Sequence, residues 1–335
     1  MFRKKIGIDL GTANTLVYVA GRGIVLNEPT VVAYSVDDRR IVAVGDEARE
    51  MLGRTSGNIM AARPMREGVI ADYTNTSAMI TYFMKKGLQK RVFWPEVMIA
   101  IPGGSSQVEK RAVVAACKAA GASDVYLIQE PLAAAIGARM PIAQASGHMI
   151  VNMGGGTAEI AVISLGQLVA YKTVRVAGTK LDEAIQQHLK KKHNLIVGER
   201  TAEDVKMKIG NAFIDEKEGY VERVLEVKGR DAQTGLPKIL EIGEKSINEG
   251  IQKPLKQIME GIKEVLSATP PELAADIVDK GIVLSGGTAL LHNFDRYVTY
   301  YTGVSCFVVE DPLFCVIRGV GMALENLDKF KEAIR

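Results

Sequence analysis

Three glycine-rich turns carry the clearest chemical potential in this sequence. Each follows an apolar run, and they read Gly11-Thr12-Ala13-Asn14, Gly154-Gly155-Gly156-Thr157 and Gly286-Gly287-Thr288. Glycine lets backbone N–H groups approach an anion without a Cβ in the way, and Thr and Asn add further donors. Two such turns that face each other could hold a polyphosphate, while the third could receive a nucleoside or phosphate at a helix N-terminus. Any one turn alone is explained equally well as a structural hairpin turn.

Two carboxylates accompany these turns. Asp9 lies inside an apolar strand, where a buried, unpaired carboxylate needs a cation, a water network or a proton. Mg²⁺ prefers carboxylates with phosphate oxygens and retained waters, so we expect Asp9 to bind it through water; the alternative is an Asp that caps its own turn. Glu130 follows a predicted strand and could orient or activate an attacking water. A charge that favours the following helix through its dipole explains Glu130 equally well.

The elements that position these residues occur twice. Lys5–Leu10 and Thr15–Val19 are predicted strands on either side of the first turn, and Met149–Val151 and Ala158–Ser164 flank the second turn in the same way. Each pair continues into mixed strands and helices, which indicates internal duplication at a long period. The sequence therefore predicts two related α/β domains, joined near residues 137–147.

Other segments have simpler signatures. Ile24–Tyr34 is predicted as a strand, and Ser106–Ala120 as a helix that Ser105 or Ser106 can cap. Tyr220–Val227 and Leu236–Ile242 are predicted as a hairpin, and the third glycine turn is expected to lead into a further helix.

Composition excludes several classes of protein. The chain has 335 residues, of which 47% are hydrophobic and 24% charged, so it is neither disordered nor fibrous. Its 42 Lys and Arg against 39 Asp and Glu leave a net charge of +3, which gives no electrostatic reason to expect nucleic-acid binding. Three cysteines, an odd and sparse count, favour a reducing compartment. We find no secretory signal and no apolar run long enough to span a membrane, so any membrane contact is expected to be peripheral.

Taken together, these residues resemble the superfamily of actin, sugar kinases and heat-shock-chaperone ATPases, and within it the MreB family of bacterial actin homologues. The resemblance covers essentially the whole chain, and its motifs are specific in combination. The segments that carry it are Gly7–Thr15, Asn27–Val32, Arg63–Ile70, Glu130–Gly137, Asn152–Thr157, Ala161–Gly166 and Ser285–Leu291.

The resemblance implies an actin-like fold: two related RNase H-like α/β domains, divided into four subdomains, with a nucleotide cleft between them. The domains would span residues 1–140 and 141–335, with small inserted subdomains around 31–66 and 180–245. It also implies a cytoplasmic ATPase that polymerises into antiparallel double protofilaments on the inner face of the cytoplasmic membrane. Such filaments would be linked to cell-wall elongation proteins and would set rod shape.

The resemblance also implies roles for individual residues around ATP or ADP and Mg²⁺. Glu130 would position the attacking water. Glu203 and Lys206 would contact the adenosine and ribose; their i, i+3 spacing puts both on one helix face, although a surface ion pair would explain that spacing as well. The phosphates and the adenine would be held by the glycine turns: Thr12, Ala13, Asn14, Gly154, Gly155, Gly156, Thr157, Gly286, Gly287 and Thr288.

Two positions depart from the family pattern: Thr179 stands where the family often has Asp, and the second loop differs at its first residue. The second loop usually opens with Asp, and this chain has Asn152 there. Asn keeps the shape and a carbonyl acceptor but loses the negative charge. If that charge helps to hold Mg²⁺ or to orient water in catalysis, its loss weakens hydrolysis more than nucleotide binding, so we expect slow hydrolysis.

The single tryptophan lies in the segment Arg91–Pro95. Phe93 and Trp94 could be a core aromatic pair under a loop, or an exposed wedge that enters the lipid interface while neighbouring basic residues meet anionic headgroups. MreB-like proteins use an apolar loop near this position, which favours the wedge. The competing function on the same fold is a small-molecule, sugar-type kinase, which would need an acceptor cleft and a catalytic Asp that we do not find in the sequence.

Overall fold

The computed structural model describes residues 4–55, 57–89, 94–216, 220–328 and 330. The strands are β1 (Lys5–Leu10), β2 (Asn14–Val19), β3 (Gly23–Pro29), β4 (Val32–Ser35), β5 (Ile41–Val44), β6 (Ile59–Ala62), β7 (Met65–Arg66), β8 (Val69–Ile70), β9 (Glu96–Ile101), β10 (Asp124–Gln129), β11 (His148–Met153), β12 (Ala158–Ser164), β13 (Gln167–Val174), β14 (Leu195–Ile196), β15 (Val224–Asp231), β16 (Pro237–Gly243), β17 (Ile282–Ser285) and β18 (Cys306–Val308). The α-helices are α1 (Asp46–Met51), α2 (Tyr73–Leu88), α3 (Gln107–Ala119), α4 (Glu130–Gly137), α5 (Gly178–His193), α6 (Glu199–Ile209), α7 (Glu244–Ala268), α8 (Pro271–Lys280), α9 (Phe294–Thr302) and α10 (Cys315–Glu325).

Two five-stranded sheets have the same topology. The first runs β10-β9-β1-β2-β3 and the second β18-β17-β11-β12-β13. In each, a central strand pairs antiparallel with the next strand of its hairpin and parallel with a strand that arrives later in the chain. The duplication predicted from the sequence is therefore present strand by strand. We call the chain up to α4 the first half and the chain from β11 onwards the second half.

Two helices pack between the sheets. α4 and α10 share a core with Leu16 and Met98 of the first half and with Ile150 of the second. Their backbones approach so closely that a Cβ on Gly319 would collide with the Ala133 carbonyl oxygen. This packing fixes the start of α4, where Glu130 lies, against the central strands of both sheets.

Smaller sheets flank the two large ones. β5-β4-β6 lies within residues 32–62, and β14-β15-β16 within 195–243. Both fall where inserted subdomains are predicted, although the domain limits themselves remain predictions. At the end of the chain, α10 returns to the first sheet: Glu325 accepts a hydrogen bond from the Tyr18 hydroxyl at 2.8 Å.

Several local predictions need correction. The predicted strand Ile24–Tyr34 is divided between β3 and β4, because the chain turns at Thr30 and Val31. The third glycine turn leads into a four-residue 3₁₀ turn, Gly287–Leu290, rather than an α-helix. The predicted cap of α3 is present: Ser106 and Glu109 form a reciprocal capping box. Among the described residues, no helix is long and apolar enough to cross a membrane.

Candidate functional site

A cleft of about 270 Å³ lies between the two halves. The two glycine hairpins, the third turn and one face of α6 form its walls. All fifteen residues predicted for the nucleotide site line it: Asp9, Thr12, Ala13, Asn14, Glu130, Asn152, Gly154, Gly155, Gly156, Thr157, Glu203, Lys206, Gly286, Gly287 and Thr288. Residues from both ends of the chain thus meet in one place, while their individual roles remain predictions.

The first loop, between β1 and β2, is held by residues of its own half. The Thr30 hydroxyl donates to the Gly11 carbonyl at 2.7 Å, and the Thr30 amide donates to the Ala13 carbonyl at 2.9 Å. The Thr12 hydroxyl accepts a hydrogen bond from the Gly68 amide at 3.1 Å. Three hydrogen bonds within the first half therefore hold this loop.

The second loop, between β11 and β12, is anchored to the start of α5 and to the third turn. The Gly154 carbonyl accepts hydrogen bonds from the Gly178 amide at 3.2 Å and from the Thr288 hydroxyl at 2.7 Å. The Thr179 amide donates to the Gly155 carbonyl at 2.8 Å. Thr288 therefore links two of the three glycine turns directly.

The two loops face each other at close range. A Cβ on Gly155 would lie 2.5 Å from the Ala13 Cβ, and one on Gly156 would collide with the Thr12 hydroxyl. Neither glycine has a positive φ, so it is the close approach of the opposite loop that requires a residue without a side chain. The two loops thus approach each other from opposite sides of the cleft, the placement expected of loops that bind one anion between them.

Asp9, Glu130 and Asn152 form what we call the floor of the cleft. Asp9 is partly exposed to the cleft, and burial raises the pKa of its carboxyl to about 7. Burial, together with the charges of Glu159 and Asp9, raises the pKa of Glu130 well above its usual range. Asn152 is buried, and its Oδ1 accepts a hydrogen bond from the Ser285 hydroxyl at 3.0 Å.

α6 brings Glu203 and Lys206 to the opposite wall. The Lys206 ammonium donates to Asp182 Oδ2 at 3.0 Å and to the Gly178 carbonyl at 3.2 Å. Burial raises the pKa of Asp182 to about 6, and Lys206 partly offsets that rise. Asp182 lines the cleft but was not predicted, because within the α5 sequence it has no signal other than helical spacing.

Ion pairs cross the mouth of the cleft. They were not predicted, because their partners lie far apart in the chain and form no local sequence pattern. Arg49 of α1 pairs with Glu203 at 2.9 Å, and Arg63 pairs with Glu199 of α6 at 2.7 Å. Arg63 also donates to the Ala13 carbonyl at 3.2 Å. Each pair joins the first half to the second above the first and second glycine loops.

The proposed membrane loop is described in part. Trp94 is 67% exposed and has a φ of 62°, in the left-handed region that bulky residues rarely adopt. This exposure contradicts a core position for Trp94. Phe93 and its basic neighbours Lys90 and Arg91 lie outside the described residues.

The donors in the cleft suit a magnesium ion that is bound mainly by phosphate and water. Within the described ranges, no three His, Cys, Asp or Glu side chains are grouped so that they could hold a metal ion by themselves. Asp9 supplies one carboxylate beside the first loop, and the Asn152 oxygen is already engaged by Ser285. Mg²⁺ commonly combines one or two carboxylates with substrate phosphates, which fits this arrangement.

Comparison with solved structures identifies the class of fold. MreB5 of Spiroplasma citri bound to AMPPNP superposes with a TM-score of 0.92 at 35% identity, covering 99% of both chains. The MamK double helical filament superposes with a TM-score of 0.79 at 23% identity, covering 97% of this chain and 99% of MamK. The chain therefore has an actin-like fold, as predicted.

Sequence comparison then gives the family. The MreB/Mbl protein family model matches residues 3–332. Cell shape-determining protein MreB of Escherichia coli K12 is 46% identical, over 98% of this chain and 95% of that protein. Cell shape-determining protein Mbl of Bacillus subtilis 168 is 44% identical, over 98% of both chains. This chain belongs to the MreB/Mbl family.

Proposed function

We propose that this protein is an ATP-binding bacterial actin homologue that polymerises and sets cell shape. The observation that supports this most is the convergence of fifteen residues, from three separate glycine turns, three floor positions and α6, on one cleft between duplicated sheets. The relatives of the chain are cell shape-determining proteins, and its structural neighbours include a chain with AMPPNP and a filament. The experiment that tests the binding step is equilibrium dialysis with ATP, ADP and, as a control, GTP.

In this proposal the two hairpins hold the phosphates of ATP or ADP between them. Thr12, Ala13 and Asn14 contact them from one side and the second loop from the other. Gly286 and Gly287 flank the adenine, while Glu203 and Lys206 reach the ribose. Because Arg49 and Asp182 already pair with those two α6 residues, ligand binding requires both pairs to rearrange or to share a hydrogen bond.

Magnesium is held through Asp9. The carboxylate of Asp9 would hold the ion through water, next to the phosphates of the nucleotide. When bound, Mg²⁺ neutralises the charge that develops on the phosphates. Burial without a cation disfavours the ionised form of Asp9, so we expect the ion to lower its pKa from about 7.

Hydrolysis is slow in this proposal, and nucleotide persists in filaments. Glu130 orients the attacking water, but Asn152 contributes no negative charge to the floor of the site. The Asn152 oxygen is committed to Ser285, which further limits what this side chain offers to a metal-bound water. Fast phosphate release by the unmodified protein would contradict this part of the proposal.

The filament is expected to be a pair of antiparallel protofilaments on the inner surface of the cytoplasmic membrane, linked to cell-wall elongation proteins. Electron microscopy of purified protein with ATP on a lipid monolayer tests it directly. Paired filaments on the lipid would support the proposal, whereas dispersed monomers would favour a small-molecule kinase or a relative that does not polymerise.

The exposed Trp94, together with Phe93, anchors the polymer to lipid. Each anchor is weak, and a filament combines many of them through avidity. We expect the double variant Phe93→Ala/Trp94→Ala to lose pelleting with anionic liposomes and to retain ATP binding. A suitable control is Leu236→Ala, which removes a side chain of similar exposure (64%) from a different part of the surface. Unchanged pelleting of the double variant would refute the anchor.

A further inference from the structure

One buried carboxylate next to the cleft, behind Asn152, has no role in the proposed function. Glu159 lies on β12 directly opposite Asn152 in the antiparallel register, and it is 1% exposed. The equivalent position of the first hairpin is Leu16, opposite Asp9. A carboxylate where the duplicated half has leucine costs free energy of folding unless it makes compensating contacts.

The contacts of Glu159 join the two halves of the molecule. Its Oε2 accepts hydrogen bonds from the Gly103 amide at 2.9 Å and from the Thr173 hydroxyl at 2.8 Å. Gly103 follows β9 in the first half, and Thr173 belongs to β13 in the second. Its Oε1 is buried and has no hydrogen-bond partner that meets normal geometry among the described residues.

These contacts continue to the start of α4. The Gly103 carbonyl accepts a hydrogen bond from Gln129 Nε2 at 3.3 Å, and Gln129 directly precedes Glu130. A Cβ on Gly103 would lie 3.3 Å from Glu159 Oε2 and 3.5 Å from the ring of Pro131, so these groups are packed together. A continuous path therefore runs from Glu159 through Gly103 to the residues on both sides of Glu130.

We propose that Glu159 is a positioning residue for hydrolysis: it holds Gly103 and, through Gln129, fixes the N-terminus of α4 so that the Glu130 carboxylate stays aimed at the attacking water. The inference rests on the proposed ATPase function. The charges that face this region are Glu130 on α4, Asp9 on β1 and Arg175 after β13. The charge of Glu159 also raises the pKa of Glu130, which agrees with their proximity.

The test compares Glu159→Ala with Glu159→Gln, because the Gln carbonyl can still accept both hydrogen bonds. We expect Glu159→Ala to lower the single-turnover rate of phosphate release about tenfold, since small misplacement of a catalytic group is costly. The affinity for ATP should stay within about twofold of the unmodified protein. Glu159→Gln should keep the rate within about threefold. Glu244→Gln, in a remote buried network, is the control.

Three further measurements cover the cases in which hydrolysis is very slow or Glu159→Ala folds poorly. Hydrogen exchange of the Gly103 amide should accelerate in Glu159→Ala and not in Glu159→Gln. Gln129→Leu, which breaks the path beyond Gly103, should reproduce the loss of rate with ATP affinity retained. The rates are also compared in an Asn152→Asp background, where faster hydrolysis is expected.

Unchanged Gly103 exchange in Glu159→Ala would overturn the inference. So would an equal loss of ATP affinity and rate, which would indicate a purely structural role. Failure of the unmodified protein to bind ATP would instead contradict the proposed function, and the exchange result would still decide whether Glu159 holds Gly103.

Discussion

The two glycine hairpins share one topology but carry their acidic residue on different strands. In the first, Asp9 lies between Leu16 on one neighbouring strand and Ala100 on the other. In the second, the equivalent Asn152 lies between Glu159 and Ser285. Each hairpin therefore carries one acidic residue, on the inner strand in the first half and on the partner strand in the second.

This difference assigns the halves different tasks. The Asp9 carboxylate has apolar strand neighbours and faces the cleft, so a cation or a proton must stabilise it. Asn152 is neutral and its oxygen is satisfied by Ser285, while the nearby charge of Glu159 is turned to the Gly103 amide. In the proposed function the first half would supply the charge for the metal, and the second would supply shape and positioning.

The largest effect expected from this comparison is that of Asp9→Asn. The variant has an amide in both hairpins and no carboxylate for Mg²⁺, so phosphate release should fall by about 100-fold, the scale seen when one electrostatic contact to a transition state is lost. ATP affinity in the presence of Mg²⁺ should fall towards the value measured with EDTA. Single-turnover phosphate release and calorimetric titration check both. A variant whose binding still responds fully to Mg²⁺ would contradict the assignment of the metal to Asp9.

Asp9→Asn also gives a readout without nucleotide. A carboxyl whose pKa is raised on folding destabilises the folded state as the pH rises between its ordinary pKa and its folded pKa, here about 7. Asn does not titrate. The variant should therefore melt at a higher temperature than the unmodified protein at pH 8 without Mg²⁺, and the difference should shrink at pH 5. Equal melting temperatures at pH 8 would show that the Asp9 charge is already compensated.

The second-largest effect is expected from Asn152→Asp, which places an Asp at the equivalent position of both hairpins. Restoring a charge in the floor should raise phosphate release by about tenfold, within the range that one catalytic group contributes. The new Asp lies opposite Glu159, so repulsion between like charges should raise its pKa. The double variant Asn152→Asp/Glu159→Gln separates the two influences: its pH profile should shift to lower pH than that of Asn152→Asp. An unchanged rate in Asn152→Asp would remove Asn152 as the cause of slow hydrolysis.

Much of this arrangement could be predicted from local sequence. The strand–turn–strand patterns around residues 9–14 and 152–157 consist of β-branched runs and glycine turns. Both are determined by residues close together in the chain, so they can be predicted from the sequence alone. The capping box of α3 is equally local. The internal duplication then predicted that the two loops face each other. The family resemblance predicted that Glu203 and Lys206 of α6 belong to the same site.

What could not be predicted depends on contacts between distant residues. Glu159 is one acidic residue in an apolar strand, and only the register opposite Asn152 and the contact with Gly103 show what it does. Asp182 follows a helical pattern that would suit a surface residue. The helix expected after the third glycine turn is a 3₁₀ turn of four residues, which ends at Leu290 with Leu291 as its cap. Trp94 had two interpretations, and its exposure excludes the core position.

A smaller effect is expected where the loops touch. Gly155→Ala would place a methyl group against Ala13, so the loops must separate by a few tenths of an ångström or more. We expect ATP affinity to fall about fivefold, because the donors of both loops can no longer reach the same phosphates; this corresponds to about 1 kcal/mol, the order of one hydrogen bond. Gly57→Ala, where a Cβ meets open space, is the matched control. Unaltered affinity would show that the loops do not bind one ligand together.

The smallest effect concerns the ion pairs that hold the halves together above the loops. Arg63 binds both Glu199 of α6 and the carbonyl of Ala13, so it ties the first loop to the second half. The Glu199 side chain is 42% exposed, and an exposed pair contributes about 1 kcal/mol or less, which salt weakens further. Arg63→Ala should therefore release bound nucleotide about threefold faster at low salt, with little difference at high salt. Stopped-flow displacement of a fluorescent ATP analogue measures this, and Arg40→Ala, which removes an exposed pair with Asp38 elsewhere, is the control. If Arg63→Ala and the control release nucleotide at the same rate, the pair between Arg63 and Glu199 does not hold the cleft closed, and the Arg49–Glu203 pair and the buried contacts between the halves are left to do so.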